Sequence, residues 1–209
     1  FEALVRESRD AGVKRFIFPS SAAAYGNGEA PVTEASALRP TTDYGKYKYQ
    51  CEEILKASAG EDFRRFILRP AGVCGYAPRM RFDLSVNILT NHAFQKGKMT
   101  VFGGDQTRPN IHIDDMRRVY ELLLEAPHEK IHRQIFNVGR QNLSLGEIAE
   151  LVSKVVGEET GKAISYERVS HTDNRSYHVN SEKIRTVLGF APEKSIEDAV
   201  RDLCQHFKA

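Results

Sequence analysis

The chain has 209 residues, of which 41% are hydrophobic and 28% charged, with 15 Gly and 8 Pro. That balance belongs to an ordinary globular protein and excludes disordered, collagenous and coiled-coil chains. Thirty basic residues against 28 acidic ones leave a net charge of +2, too weak a field to argue for nucleic acid or an anionic membrane surface, so an anionic ligand must be held by local groups.

No apolar run approaches the ~18–20 residues of a membrane span. Cys51, Cys74 and Cys204 are odd in number, widely spaced and form no CxxC. They argue against a disulfide framework and a thiolate zinc site, and they point to a reducing, cytoplasmic compartment. The first residue is Phe1 with no signal-like segment, which reads as a processed or truncated start.

In chain order, Phe1 to Ala11 places Ala3, Leu4 and Ala11 on one helical stripe, with Gly12 as a left-handed stop. Val13 to Ser21 contains the aromatic and β-branched run of a buried parallel strand. A polar loop from Asn27 to Asp43 follows, then a helix from Tyr44 to about Ala59 and a second buried strand over Arg64–Arg69. Leu84 to about Lys96 reads as helix, Met99–Phe102 as strand, Asp114 to Leu124 as helix and Ile135–Val138 as strand.

Ser144 and Glu147 have capping-box spacing, Ser195 and Asp198 open a last helix, and Ser181 is the expected cap of a short helix ending at Leu188. The alternation of strands and helices predicts an α/β protein built on a Rossmann-like parallel sheet, with the region after about Met80 too irregular to continue that sheet. The expected division is residues 1–79, carrying the parallel sheet, and 80–209, mainly a smaller region with some segments returning to the first.

Of eight tyrosines only Tyr44 has a lysine four residues later, Lys48, which on a helix puts phenol and ammonium on one face. Alone, such a pair is most simply a solvated helix face. The context is more specific, because a buried strand ends in Ser20 and Ser21, 23 residues before Tyr44, and ligands of open α/β sheets bind at that carboxyl edge. A phenol with a pKa near ~10 acts as a base at neutral pH when a nearby cation stabilises its anion. Lys48 is spaced for that role, and Ser21 can share the proton of a substrate hydroxyl.

Ser20-Ser-Ala-Ala-Ala-Tyr-Gly26 followed by Tyr44-Gly-Lys-Tyr-Lys48 resembles the extended short-chain dehydrogenase/reductase family, in particular its nucleotide-sugar epimerases and dehydratases. Arg69 to Gly75 is similar to that family's strand and loop beside the nicotinamide. Val101 to Arg108 is similar to its diphosphate-binding segment, and Ile111–Asp115, Phe136–Gly139 and Asp173 to Phe190 complete the order.

The resemblance implies catalysis by Ser21, Tyr44 and Lys48, with hydride passing to NAD, or to NADP. It implies cofactor contacts from Ser20, Tyr44, Lys48, Pro70, Ala71 and Val73. Contacts to a nucleotide-diphosphate sugar are implied for Ser21, Gly72, Asp83, Asn87, Arg108, Asp173 and Arg175. It also implies a homodimer in the full-length enzyme, with Phe1/Leu4 and Tyr47/Glu52 on the pairing helices.

The glycine fingerprint for dinucleotides is missing, so by resemblance the chain begins roughly 100 residues into the family's pattern and by itself is expected to be inactive. Dehydratases of this family follow the active-site hydroxyl with an acidic pair and certain reductase-epimerases with Cys, whereas Ser21 is followed by Ala22 and Ala23. Simple C4 epimerisation through a 4-keto sugar is therefore the favoured reaction, ahead of dehydration or reduction and of a non-catalytic binding protein. UDP-sugar epimerases usually carry Asn where this chain has Gly72. His112, Asp114 and Asp115 are expected to hold no metal: Asp114 reads as a helix cap, with no third ligand nearby.

Overall fold

The computed structural model describes residues 1–28, 30–58, 62–171 and 175–208. Helix α1 (Glu2–Asp10) leads to strand β1 (Arg15–Pro19), a 3₁₀ turn over Ala22–Tyr25, helix α2 (Asp43–Ala57) and strand β2 (Arg64–Pro70). Strand β3 (Gly72–Cys74), helix α3 (Ser85–Lys96), strands β4 (Lys98–Phe102) and β5 (Thr107–His112), and helices α4 (Ile113–Glu125) and α5 (His128–Ile131) follow. The chain then runs through strands β6 (Ile135–Val138) and β7 (Gln141–Ser144), helix α6 (Leu145–Thr160), strand β8 (Ser165–Val169) and helices α7 (Glu182–Leu188) and α8 (Ile196–Lys208).

The first sheet is parallel in the order β1-β2-β6, with Pro19 opposite Leu68 and Pro70 opposite Val138. In-register parallel strands discharge their carboxyl ends at one edge, so Ser20–Ser21 and Ala71–Gly72 emerge side by side. β2 is buried along its centre on both faces, as a parallel central strand must be. Phe66 and Leu68 point to a core shared with α4 and β6, while Ile67 joins Val5, Phe18, Leu55 and Phe63 beneath α1 and α2. The same alternation turns Arg69 toward α2.

β6 joins this sheet from beyond Met80, in a stretch whose irregular pattern argued against a continuation of the sheet although some of its segments were expected to return to the first domain. A second sheet, β3-β5-β7, begins one residue after β2, and β4 pairs with β8 in a third. A separate apolar core lies between α3, β4, α6 and α8, around Val86, Ala93, Val101, Val152, Val155 and Val200. Two of the free thiols are deeply placed: Cys74 is pushed up to about 12 and Cys204 to about 11, mainly by burial, while Cys51 is half-buried. No helix among the described residues is long and apolar enough to cross a membrane.

The Ser144–Glu147 capping box forms in full, and Ser195 and Asp198 cap α8 reciprocally. Two other caps differ from expectation. Ser181 makes no capping bond; Asn180 Oδ1 accepts from Glu182 N–H at 2.8 Å instead. His112, not Asp114, caps α4, its Nδ1 accepting from Asp114 N–H at 3.1 Å. A third carboxylate does lie nearby, since His112 Nε2 is 3.0 Å from Asp202 of α8. With Nδ1 accepting, Nε2 carries the proton and donates to Asp202, which commits both ring nitrogens to holding α8 against α4.

Candidate active site

Ser21 is extended (φ −162°, ψ 150°) and caps the 3₁₀ turn, its Oγ accepting from Ala23 N–H at 3.1 Å. The hydroxyl proton is thereby left to donate elsewhere. Tyr44 lies in the first turn of α2, which is capped by Thr42 Oγ1 on Gly45 N–H at 3.1 Å. Glycine is needed next to Tyr44 because a Cβ at position 45 would stand 2.8 Å from the Ala23 carbonyl and 3.0 Å from Pro40. The helix start can therefore sit directly on the turn that carries Ser21.

Both residues line one cavity of about 1170 Å³, above the ~300–1,000 Å³ usual for a single small ligand and roomy enough for a nucleotide sugar together with a nicotinamide. Ser20, Pro70, Ala71, Gly72, Val73, Asp83, Asn87, Arg108 and Arg175 line it too. Asp173 lies outside the described residues. Lys48 is not in the wall. Its Nζ donates to the Pro19 carbonyl at 2.6 Å and stands 5.6 Å from the Tyr44 ring centroid.

The remaining side chains differ in what they are free to do. Ser20 directs its hydroxyl away from the cavity, to Glu52 Oε1 at 2.5 Å. Asn87 is buried and braces the loop before it, its Oδ1 accepting from Gly75 N–H at 3.1 Å and its amide donating to the Arg81 carbonyl at 3.1 Å. Asp83 forms a fork with Arg81 at 3.0 and 2.5 Å, whose bonds hold its carboxyl below the ordinary range. Arg108 donates to the carbonyls of Thr107 and Arg175 and lies over the Tyr177 ring at 5.4 Å, which aims its planar fork. Arg79, Lys96 and Lys98 add positive charge to the wall. A Cβ on Gly72 would lie 3.4 Å from Asn110 Oδ1, so an amide does approach this point, from β5.

Sequence reasoning missed the network behind the cavity. Glu52, assigned by resemblance to a pairing surface, is completely buried, whereas Phe1, Leu4 and Tyr47 are exposed. Glu52 accepts two bonds from Arg69, at 2.9 and 2.6 Å. Burial alone would depress the Arg69 guanidinium, but the bonds and charge of Glu52 hold it above its usual value. Arg69 Nη1 donates to Tyr25 Oη at 2.9 Å, and Tyr25 donates to Asn137 Oδ1 on β6 at 2.7 Å. The sequence signal was Arg69, an arginine directly following the apolar run Phe66–Leu68 of a buried strand.

The parallel sheet thus brings Ser21 and Tyr44 to one cavity at its carboxyl edge, with Lys48 close behind. The profile of the NAD dependent epimerase/dehydratase family matches residues 2–139, and the chain belongs to that family. It is 30% identical to a UDP-glucose 4-epimerase from Lactobacillus helveticus, with 95% of this chain and 65% of that protein covered. Among solved structures, the UDP-glucose 4-epimerase of Thermotoga maritima with UDP-glucose is 27% identical, with a TM-score of 0.82 over 98% of this chain and 67% of that one. A UDP-glucuronic acid 4-epimerase from Bacillus cereus, with UDP-glucuronic acid and NAD, shares the fold at a TM-score of 0.85 and 23% identity, covering 99% of this chain and 65% of the other. The chain spans 65%, 62% and 65% of the length of the first three curated relatives it matches.

Proposed function

We propose that the enzyme containing this chain is an NAD-dependent epimerase that inverts C4 of a UDP-activated hexose. One observation carries the reading. Ser21 and Tyr44 share a cavity with Ala22 and Ala23, and the one carboxylate among its described lining residues, Asp83, is tied to Arg81 in its ionised form. Elimination of water needs a free acid in that position, whereas epimerisation needs none.

The residues present fit the nicotinamide end of the cofactor, because Pro70, Ala71 and Val73 offer an uncharged wall beside Tyr44 and Ser21. NAD bound there would supply a reversible hydride acceptor for C4 of the sugar. Tyr44 takes the proton of the C4 hydroxyl as the carbonyl forms and gives it back after the sugar has turned. Lys48 stabilises the phenolate, and Ser21 donates its free hydroxyl proton to the same sugar oxygen. Arg108 and Arg175 bind the diphosphate, for which a guanidinium fork is shaped.

Exposed Phe1, Leu4 and Tyr47 on α1 and α2 support a homodimer of the full-length enzyme, and three unpaired thiols support a reducing, cytoplasmic setting. The test is to incubate the full-length enzyme with UDP-, GDP- and dTDP-hexoses and follow sugar configuration by NMR. Interconversion of C4 epimers without added nicotinamide reductant is expected. Net loss of water, or a stoichiometric need for NADPH, would overturn the reading.

A further inference from the structure

Tyr44, Lys48 and Glu52 recur at intervals of four along α2 and share one face. The second and third of them grip consecutive residues at the end of β1. Lys48 holds the Pro19 carbonyl at 2.6 Å, and Glu52 holds the Ser20 hydroxyl at 2.5 Å. Glu52 is 0% exposed and Arg69 2%. The desolvation of such a pair offsets most of its Coulombic gain, so an apolar pair of similar size could serve stability as well. Something other than stability is the better reason for an ion pair here.

Geometry supplies that reason. Successive side chains of extended backbone point to opposite sides. Ser20 turned inward to Glu52 therefore forces Ser21, itself extended, outward to the cavity. Arg69 engages both oxygens of Glu52 and is braced through Tyr25 to Asn137 on β6, so the carboxylate is fixed to the sheet as well as to α2. We propose that Glu52 is a positioning residue: through Ser20 it sets where Ser21 presents its hydroxyl relative to Tyr44. It moves no proton itself. The proposal rests on reading Ser21 and Tyr44 as the pair that handles the substrate proton.

Three variants test it: Ser20→Ala, which deletes only the gripped hydroxyl, Glu52→Gln, and the double variant. In the 209-residue chain, amide hydrogen exchange at Ala23 and Ala24, whose N–H groups bond to Ser21 Oγ and Ser21 O at 3.1 Å each, is expected to quicken at least tenfold in Ser20→Ala. Exchange in α8 should stay unchanged as the internal reference. In the full-length enzyme, kcat should fall at least tenfold with KM for the sugar nucleotide within about twofold. The double variant should lose less kcat than the product of the two single losses, because both changes act on the shared Ser20–Glu52 bond, although Glu52→Gln also disturbs the pair with Arg69.

Unchanged exchange at Ala23 and Ala24 in Ser20→Ala overturns the proposal whatever the activity. So do kcat losses that multiply in the double variant. If exchange quickens while the wild-type enzyme turns over no sugar nucleotide, the positioning holds and the assigned reaction is what fails.

Discussion

At the scale of single residues, the proposed mechanism separates proton transfer from ligand binding. Tyr44→Phe removes the group that acts on a proton in transit, so turnover should drop by about 10²–10⁴ while sugar-nucleotide affinity, measured by calorimetry, barely moves. Arg108→Ala should do the reverse, weakening binding by about 1.5–3 kcal/mol, the worth of a charge-assisted contact. Equal losses in kcat and affinity for either variant would reject this division of labour. Tyr44, Lys48 and Ser21 were legible because a four-residue helical spacing and a strand-end hydroxyl are local patterns. Glu52 and Arg69 were not, since their meaning lies in a contact across 17 residues between a helix and a strand, and Ser20 looked equivalent to Ser21 until the alternation of the chain turned one inward.

At the scale of elements, terminus chemistry was read well where it is reciprocal and poorly where it is not. Ser144 and Glu147 satisfy each other's backbone donors in front of α6, a signal fully contained in four residues. His112 is not a usual capping residue type, and Asn180, which is, acts one residue ahead of the serine expected. Strand β5 escaped notice because Pro109 sits inside it, and proline removes a ladder donor and usually demotes a strand. The short β3, β7 and β8 hold too few apolar residues to show a period.

Ser144→Ala should cost about 0.5–2 kcal/mol, read from urea midpoints at pH 7. The backbone N–H and the side chain of Ser144 hold the Glu147 carboxyl below its ordinary value. A depressed folded-state pKa gives stability that is present above the unfolded value and disappears as pH falls through the folded one. The deficit of Glu147→Gln relative to wild type should accordingly shrink between pH 7 and pH 3. A deficit independent of pH would mean that the carboxylate charge plays no part in the cap.

At the scale of the whole molecule, the proposed site would take its sugar side and nicotinamide wall from the described residues, which include no glycine-rich strand-to-helix turn of the kind that binds a pyrophosphate. Calorimetric titration of the 209-residue chain with NAD should show no binding in the micromolar range, and micromolar binding by a monomer would show that these residues suffice. Among the described residues β1 pairs on one side only, with β2, and its carboxyl end is held in addition by Lys48 and Glu52 of α2.

The packing of α2 gives the cysteines a use as reporters. Thiolate is the form that alkylating reagents attack, and with Cys74 at about 12 and Cys204 at about 11 both are effectively silent at pH 8. Half-buried Cys51 precedes Glu52 on α2. A maleimide should therefore label one thiol in three on the native protein. The rate of that single event becomes a chemical reading of how closely α2 packs on the Val5, Phe18 and Leu55 core beneath it.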